Sequence, residues 1–210
     1  MFIRNCLTGI EELVTLKKED TIQRAIEAMK RHRLKSIPVI DSENKFVGIL
    51  SKEGLFELLE QDTAKNIDAL LEQSITQAIA KVQPLTLDNK FEETFPLIVR
   101  YPFVPIIDEN NHFLGIVKRN QITKSLESSF GVGVPGIRLL IGSAEIEGRL
   151  EKILELAHNL HLNIITAVTF DAGDHLSRRI LLKIEHTAKK EDFQTRLEKH
   201  GFKILTVHED

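Results

Sequence analysis

The chain has 210 residues, 42% of them hydrophobic, enough for one large or two modest domains with buried cores and too apolar for a disordered chain. Its 28 basic and 31 acidic residues leave a scattered net charge of −3, so neither a nucleic-acid footprint nor an acidic tail is visible. Cys6, the single cysteine, excludes an intrachain disulfide and a Cys-rich zinc site, no apolar run reaches the roughly 18 residues of a membrane span, and Met1-Phe2-Ile3-Arg4 lacks a signal-peptide core. These features place the chain in the cytoplasm, with no membrane or nucleic-acid partner.

A first helix is expected from Asp20, whose carboxylate is placed to cap the Gln23 amide, with Ile22, Ala25, Ile26 and Met29 on one apolar face. The β-branched run 37–40, the turn residues 41–44 and the apolar run 45–50 read as a β-turn-β unit. Leu55, Leu58 and Leu59 mark another helix, continued by Ile67, Leu70 and Leu71. The segment 33–55 then recurs without gaps as 100–122, at a constant offset of 67. Pro38, Asp41, Asn44, Phe46 and Gly48 match Pro105, Asp108, Asn111, Phe113 and Gly115. One supersecondary unit therefore occurs twice, and a unit this small buries its apolar face against its twin. In the second copy the leading helix carries Phe91, Phe95 and Ile98 but also Pro96, so it is expected to be short or kinked.

The glycine-rich stretch 128–136 is linker composition. Beyond it come a strand at 137–141, a helix at 146–160 with Ile146, Leu150, Ile153, Leu154 and Ala157 inward, and a strand at 162–170. A turn at 171–174, a strand at 178–184, a helix at 191–200 stopped by Gly201 and a strand at 202–207 complete the order βαββαβ, a ferredoxin-like plan. The fold class is α+β.

Val14-Thr15-Leu16, Ser36-Ile37-Pro38-Val39-Ile40-Asp41 and Gly48-Ile49-Leu50-Ser51, repeated in order in the second copy, resemble a tandem pair of CBS motifs. The resemblance implies that residues 1–130 form one module, with motif one at about 1–62 and motif two at about 63–130. It also implies two clefts for adenosine-containing ligands. The residues it nominates for nucleotide binding are Thr15, Arg33, Lys35, Ser36, Ile37, Pro38 and Ser51 in the first copy. In the second they are Arg100, Tyr101, Phe103, Val104, Pro105, Lys118 and Arg119. A backbone run such as 36–38 can meet an adenine edge while apolar side chains cover the base, and Ser51 at a helix start can meet a phosphate, with Arg33 and Lys35 nearby. The family's ribose-binding Asp falls at Gly54 and Gln121, and its Ser/Thr becomes Lys118 in copy two. Phosphate recognition is thus favoured over ribose recognition, which suits a phosphate-rich ligand such as cyclic di-AMP, ATP or ADP better than adenosine; AMP is the further candidate among adenine nucleotides. The alternative is that these cations are ordinary solvated charges and the module only dimerises.

After a linker at 131–136, residues 137–210 resemble an ACT domain through element order and Glu145-Ile146-Glu147-Gly148-Arg149-Leu150, in the order of acetoin-utilisation-type CBS-ACT proteins. Gly148 is either a point of close approach for a small amino acid or a turn glycine. No Gly-x-Ser-x-Gly elbow, Walker A loop or His-Glu-x-x-His motif is present; His158 and His161 fall where a helix ends, and Asp171, Asp174 and His175 share a turn. The reading is a non-catalytic, cofactor-free regulator of an unknown downstream protein, working as a homodimer or higher homo-oligomer and sensing an adenine nucleotide. The alternatives are an amino-acid-sensing regulatory subunit, with the CBS pair as dimerisation scaffold, and an enzyme with an unrecognised site.

Overall fold

A computed structural model describes residues 2–61, 67–171, 173 and 177–210. The expected junction between the motifs at 62/63, and Asp174 and His175 of the hairpin turn, lie outside the described residues. The chain divides into two compact units, Met1–Thr123 and Lys124–Asp210.

In the first unit, β1 (Leu7–Gly9) and β2 (Leu16–Lys17) precede α1 (Ile22–Arg31). The helix starts one residue later than expected. Thr21 is its N-cap, accepting from Arg24 N at 3.3 Å, because the Asp20 carboxylate turns back to accept from Lys17 N at 2.8 Å. Ile22, Ala25 and Met29 are buried as expected, whereas Ile26 is 37% exposed at the edge of the apolar face. α1 stops in a Schellman motif: Arg33, at φ 53°, donates to Lys30 O, and Leu34 donates to Met29 O.

The hairpin β3 (Ser36–Ile40) and β4 (Phe46–Ser51) is matched by β7 (Phe103–Ile107) and β8 (Phe113–Lys118), down to a register shift before Ile40 and before Ile107. Each turn is built by an aspartate and an asparagine. Asp41 Oδ1 accepts from the amides of Glu43 and Lys45 at 2.9 Å; Asp108 Oδ1 accepts from those of Asn110 and His112 at 2.8 Å. Asn44 and Asn111 take φ of 61° and 66°, a region asparagine tolerates. Those bonds hold both carboxyls below the usual aspartate range: the Lys45 amide is the main cause at Asp41, and the His112 ring at Asp108. The hairpins meet reciprocally, Phe46 N donating to Asn111 O at 3.1 Å and Phe113 N to Asn44 O at 2.9 Å, with the two rings stacked at 5.6 Å. This is an approximate twofold relation within one chain.

Around it the copies exchange strands. β5 (Ile79–Ala80) leads into copy two yet pairs with β4 of copy one, and β1 pairs with β8 of copy two, giving sheets β2-β3-β4-β5 and β1-β8-β7-β6, with β6 at Leu85–Thr86. The repeated glycines permit this. A Cβ on Gly48 would lie 2.5 Å from Ala80 O, and one on Gly115, at φ 151°, would run into Thr8 O. Helices α2 (Lys52–Gln61), α3 (Ile67–Leu71) and α5 (Arg119–Ser129) follow the hairpins. The second leading helix is broken as Pro96 demands, into a 3-10 turn at Phe91–Thr94 and the short α4 (Phe95–Arg100).

The second unit runs β9 (Ile137–Ala144), α6 (Arg149–Asn159), β10 (Ile164–Asp171), β11 (Ser177–Ile184), α7 (Lys190–Lys199) and β12 (Lys203–Glu209). The antiparallel order β10-β11-β9-β12 is the ferredoxin-like arrangement, with Ile137, Leu139, Ile141, Ile180, Leu182 and Phe193 in its core. α6 begins three residues later than expected, because Gly148 at φ 79° is its N-cap. Ile153 and Ala157 are inward as expected, joined by Leu156; Ile146 falls ahead of the helix, and Leu150 and Leu154 flank the buried stripe and are exposed. α7 closes in a Schellman motif on Gly201, as its sequence predicts, and α6 closes in the same way on His161 at φ 56°.

Candidate functional site

Ser36 opens β3 and Ser51 ends β4, directly opposite each other in register. Ser51 Oγ accepts from Gly54 N at 3.0 Å and so caps α2. Gly54 brings the first turn of α2 against the Ala78 carbonyl, which a Cβ would approach to 3.0 Å. The edge strand β5 adds Ile79 and Ala80, and the segment ahead of β7 adds Arg100, Tyr101 and Pro102 from the other copy. Together these enclose a cavity of about 410 Å³, also lined by Ile49, Glu53, Glu57, Leu58 and Gln77. Arg119 steadies the far wall: its guanidinium donates to Tyr101 O at 2.8 Å and its amide to Pro102 O at 3.0 Å.

Of the nominated residues, Ser36, Ser51, Arg100 and Tyr101 line this cavity. Ile37 is fully buried under α1 and α3, and Pro38, Val104 and Pro105 are buried within their strands, so none of these side chains lines the cavity. Thr15 lies elsewhere, in a polar depression with Arg24 and Arg31. Arg33 and Lys35 are exposed but do not join Ser36 and Ser51 in the cavity wall, contrary to expectation; the cation there is Arg100, from the other copy. At the offset of 67, Phe103 and Lys118 are the counterparts of Ser36 and Ser51. There Phe103 is 5% exposed, packed in the core between the hairpins with Val82, and Gln121 Oε1 accepts from Lys118 N at 2.9 Å. The position of the missing ribose carboxylate thus serves helix capping in copy two and close packing in copy one.

Sequence reasoning missed Glu53, Glu57 and the whole contribution of residues 77–80 to the wall. In the second unit, Gly148, at φ 79°, is the N-cap of α6, and a Cβ there would meet no protein atom within 4 Å. Beside it a depression of about 280 Å³ is bordered by Glu145, which is ion-paired to Arg178. Among the described residues no group of three His, Cys, Asp or Glu side chains is placed to hold a metal, and no helix is long and apolar enough to cross a membrane.

Residues 9–61 match the CBS domain family. Inosine-5'-monophosphate dehydrogenase of Methanocaldococcus jannaschii is 26% identical over 137 residues, 64% of this chain and 26% of the enzyme. The chain thus spans about a quarter of that relative's length. Among solved structures, CbpB of Listeria monocytogenes in complex with c-di-AMP matches with a TM-score of 0.54 at 21% identity, over 60% of this chain and 94% of that one. CBSX2 in complex with AMP matches with a TM-score of 0.51 at 18% identity, over 60% of this chain and 95% of that one. With its hairpin, capped helix and cavity wall, the segment 9–61 is a CBS domain, within a mixed α+β fold that holds a CBS pair and a ferredoxin-like unit.

Proposed function

We propose that this chain is a non-catalytic cytoplasmic regulator that binds an adenine nucleotide in the cavity between Ser36, Ser51, β5 and Arg100, and acts as a homodimer or larger assembly on a downstream protein. The observation that carries the reading is a cavity of nucleotide size to which both copies contribute, its wall mixing the apolar Ile49, Leu58 and Ile79 with polar side chains and the cation Arg100. Ile49, Leu58 and Ile79 offer faces for a base, and the edge strand β5 offers main-chain groups for its hydrogen-bonding edge. Arg100 offers charge-assisted bonds to a phosphate. CbpB was solved with c-di-AMP and CBSX2 with AMP, ligands of this chemistry on the same fold.

Glu53 and Glu57 add a preference. ATP carries about two more negative charges than AMP or cyclic di-AMP and would bring them toward two carboxylates, so AMP or cyclic di-AMP suits the cavity better than ATP. Calorimetric titration of the protein, stripped of copurified nucleotide, tests this. AMP is expected to bind about tenfold tighter than adenosine, the worth of one bond to a charged group, and ATP no tighter than AMP. Equal affinity for adenosine and AMP overturns the assignment of Arg100; binding of amino acids alone overturns the nucleotide reading. Light scattering tests the assembly, and a species of 23.9 kDa would exclude it.

A further inference from the structure

We propose that the sheet of the second unit carries a ligand site of its own, for a small dianion, on the face turned away from its helices. The register puts Phe170, Arg179, Gly142 and Lys203 in one row across β10, β11, β9 and β12. Residues directly opposite in a ladder share a face, and the core face of β9 is Ile137, Leu139 and Ile141, so this row lies on the other one. Gly142 is therefore a gap between two cations, on strands about 10 Å apart. A cavity of about 350 Å³ sits there, with Ser177 and the half-exposed Leu205 also on its wall.

Two features separate this notch from ordinary surface. First, the fold has no need of a glycine at 142. Its φ is not positive, and a Cβ there would meet nothing nearer than 3.7 Å, an ordinary contact. By contrast, Gly136 in the same unit could not take a side chain without striking Ile184 O. Secondly, the cations are left available. Arg178 is ion-paired to Glu145 and Lys183 to Asp210, whereas Arg179 and Lys203 are exposed and have no ion pair among the described residues. Two like charges flanking an open gap repel each other until an anion lies between them, and the roughly 10 Å between their strands is a span that a small dianion can bridge with both side chains. Its two charges come from a phosphate group or from two carboxylates. The notch borders the depression at Gly148, with Ser143, Ala144 and Arg178 on both walls, but its two cations, Arg179 and Lys203, belong to it alone, and it does not depend on the nucleotide reading.

Amide-resolved NMR titrations of the full chain at constant ionic strength, with inorganic phosphate and with succinate, test the proposal and separate the two chemistries. Saturable shifts are expected at Gly142, Arg179 and Lys203 with at least one anion. Gly142→Val should abolish them by filling the notch while the core resonances stay in place. Arg179→Ala and Lys203→Ala should each weaken binding at least tenfold, and Lys203→Gln keeps the stem if the alanine variant folds poorly. Non-saturating shifts spread over all surface cations, or binding unchanged by Gly142→Val, would overturn it.

Discussion

Ser36 and Phe103 hold the same place in the two copies, opposite Ser51 and Lys118, and they do opposite things. Ser36 leaves a wall open and a cavity forms beside it; Phe103 turns inward and becomes part of the core between the hairpins. The backbones agree down to the left-handed asparagines, so duplication preserved two places for a cleft while side chains converted one into packing. Charge divides the same way. The open cavity has one arginine and two glutamates, whereas at the buried Phe103 the residue opposite is the exposed Lys118.

The largest test of that contrast is Phe103→Ala. It should cost about 3–5 kcal/mol in urea unfolding, as removal of a buried aromatic does, while Ser36→Ala stays within about 0.5 kcal/mol. Similar costs at both positions would break the comparison. Next come the glycines under the exchanged strands. Gly48→Ala should cost about 2 kcal/mol through crowding of Ala80, and Gly115→Ala about 3 kcal/mol, because a positive φ adds strain to the collision with Thr8.

Much of this was legible in the sequence. The constant offset located both hairpins, the Asp and Asn turn residues and the proline-broken helix, because each depends on local chemistry at fixed spacing. The exchanged strands were not legible. β1 and β5 are three and two residues long, too short to show periodicity, and they lie outside the repeated segment. Missing β5 hid the part of the cavity wall that residues 77–80 supply and misassigned the cations: Arg33 is near Ser36 in sequence, but the cation on the wall, Arg100, comes from the other copy. In α6 the apolar Leu150 and Leu154 flank the buried stripe of Ile153, Leu156 and Ala157, and periodicity alone does not separate a flank from the core face.

Arginine substitution sharpens the comparison at the level of binding. Arg100→Ala should weaken AMP by about 1.5–3 kcal/mol in calorimetry, while Arg33→Ala should change it by less than about 0.5 kcal/mol. The turns offer a smaller and cleaner contrast. Both Asp41 and Asp108 have lowered folded pKa values, so the stability they contribute is present above the ordinary aspartate value of about 3.9 and is lost as pH falls through the lowered ones. His112→Gln should raise the Asp108 titration, followed by carboxyl NMR, and leave Asp41 where it is, since backbone amides hold Asp41.

The smallest expected effect concerns how the two helices after the hairpins begin. A complete capping box joins an N-cap hydroxyl to the amide three residues on, and a side chain at that third position back to the N-cap amide. Each copy has one half: Ser51 accepts from Gly54 N, and Gln121 accepts from Lys118 N. Copy one cannot gain the other half cheaply, because any Cβ at Gly54 presses on Ala78 O at 3.0 Å. Copy two can. Lys118 is exposed, and Lys118→Ser would supply a hydroxyl to the Gln121 amide while removing a positive charge from the positive end of the helix dipole. The gain should be about 0.5–1 kcal/mol in urea unfolding, and Gln121→Ala in the Lys118→Ser background should lose more than Gln121→Ala alone. Additive effects would mean that the two halves do not act as one box.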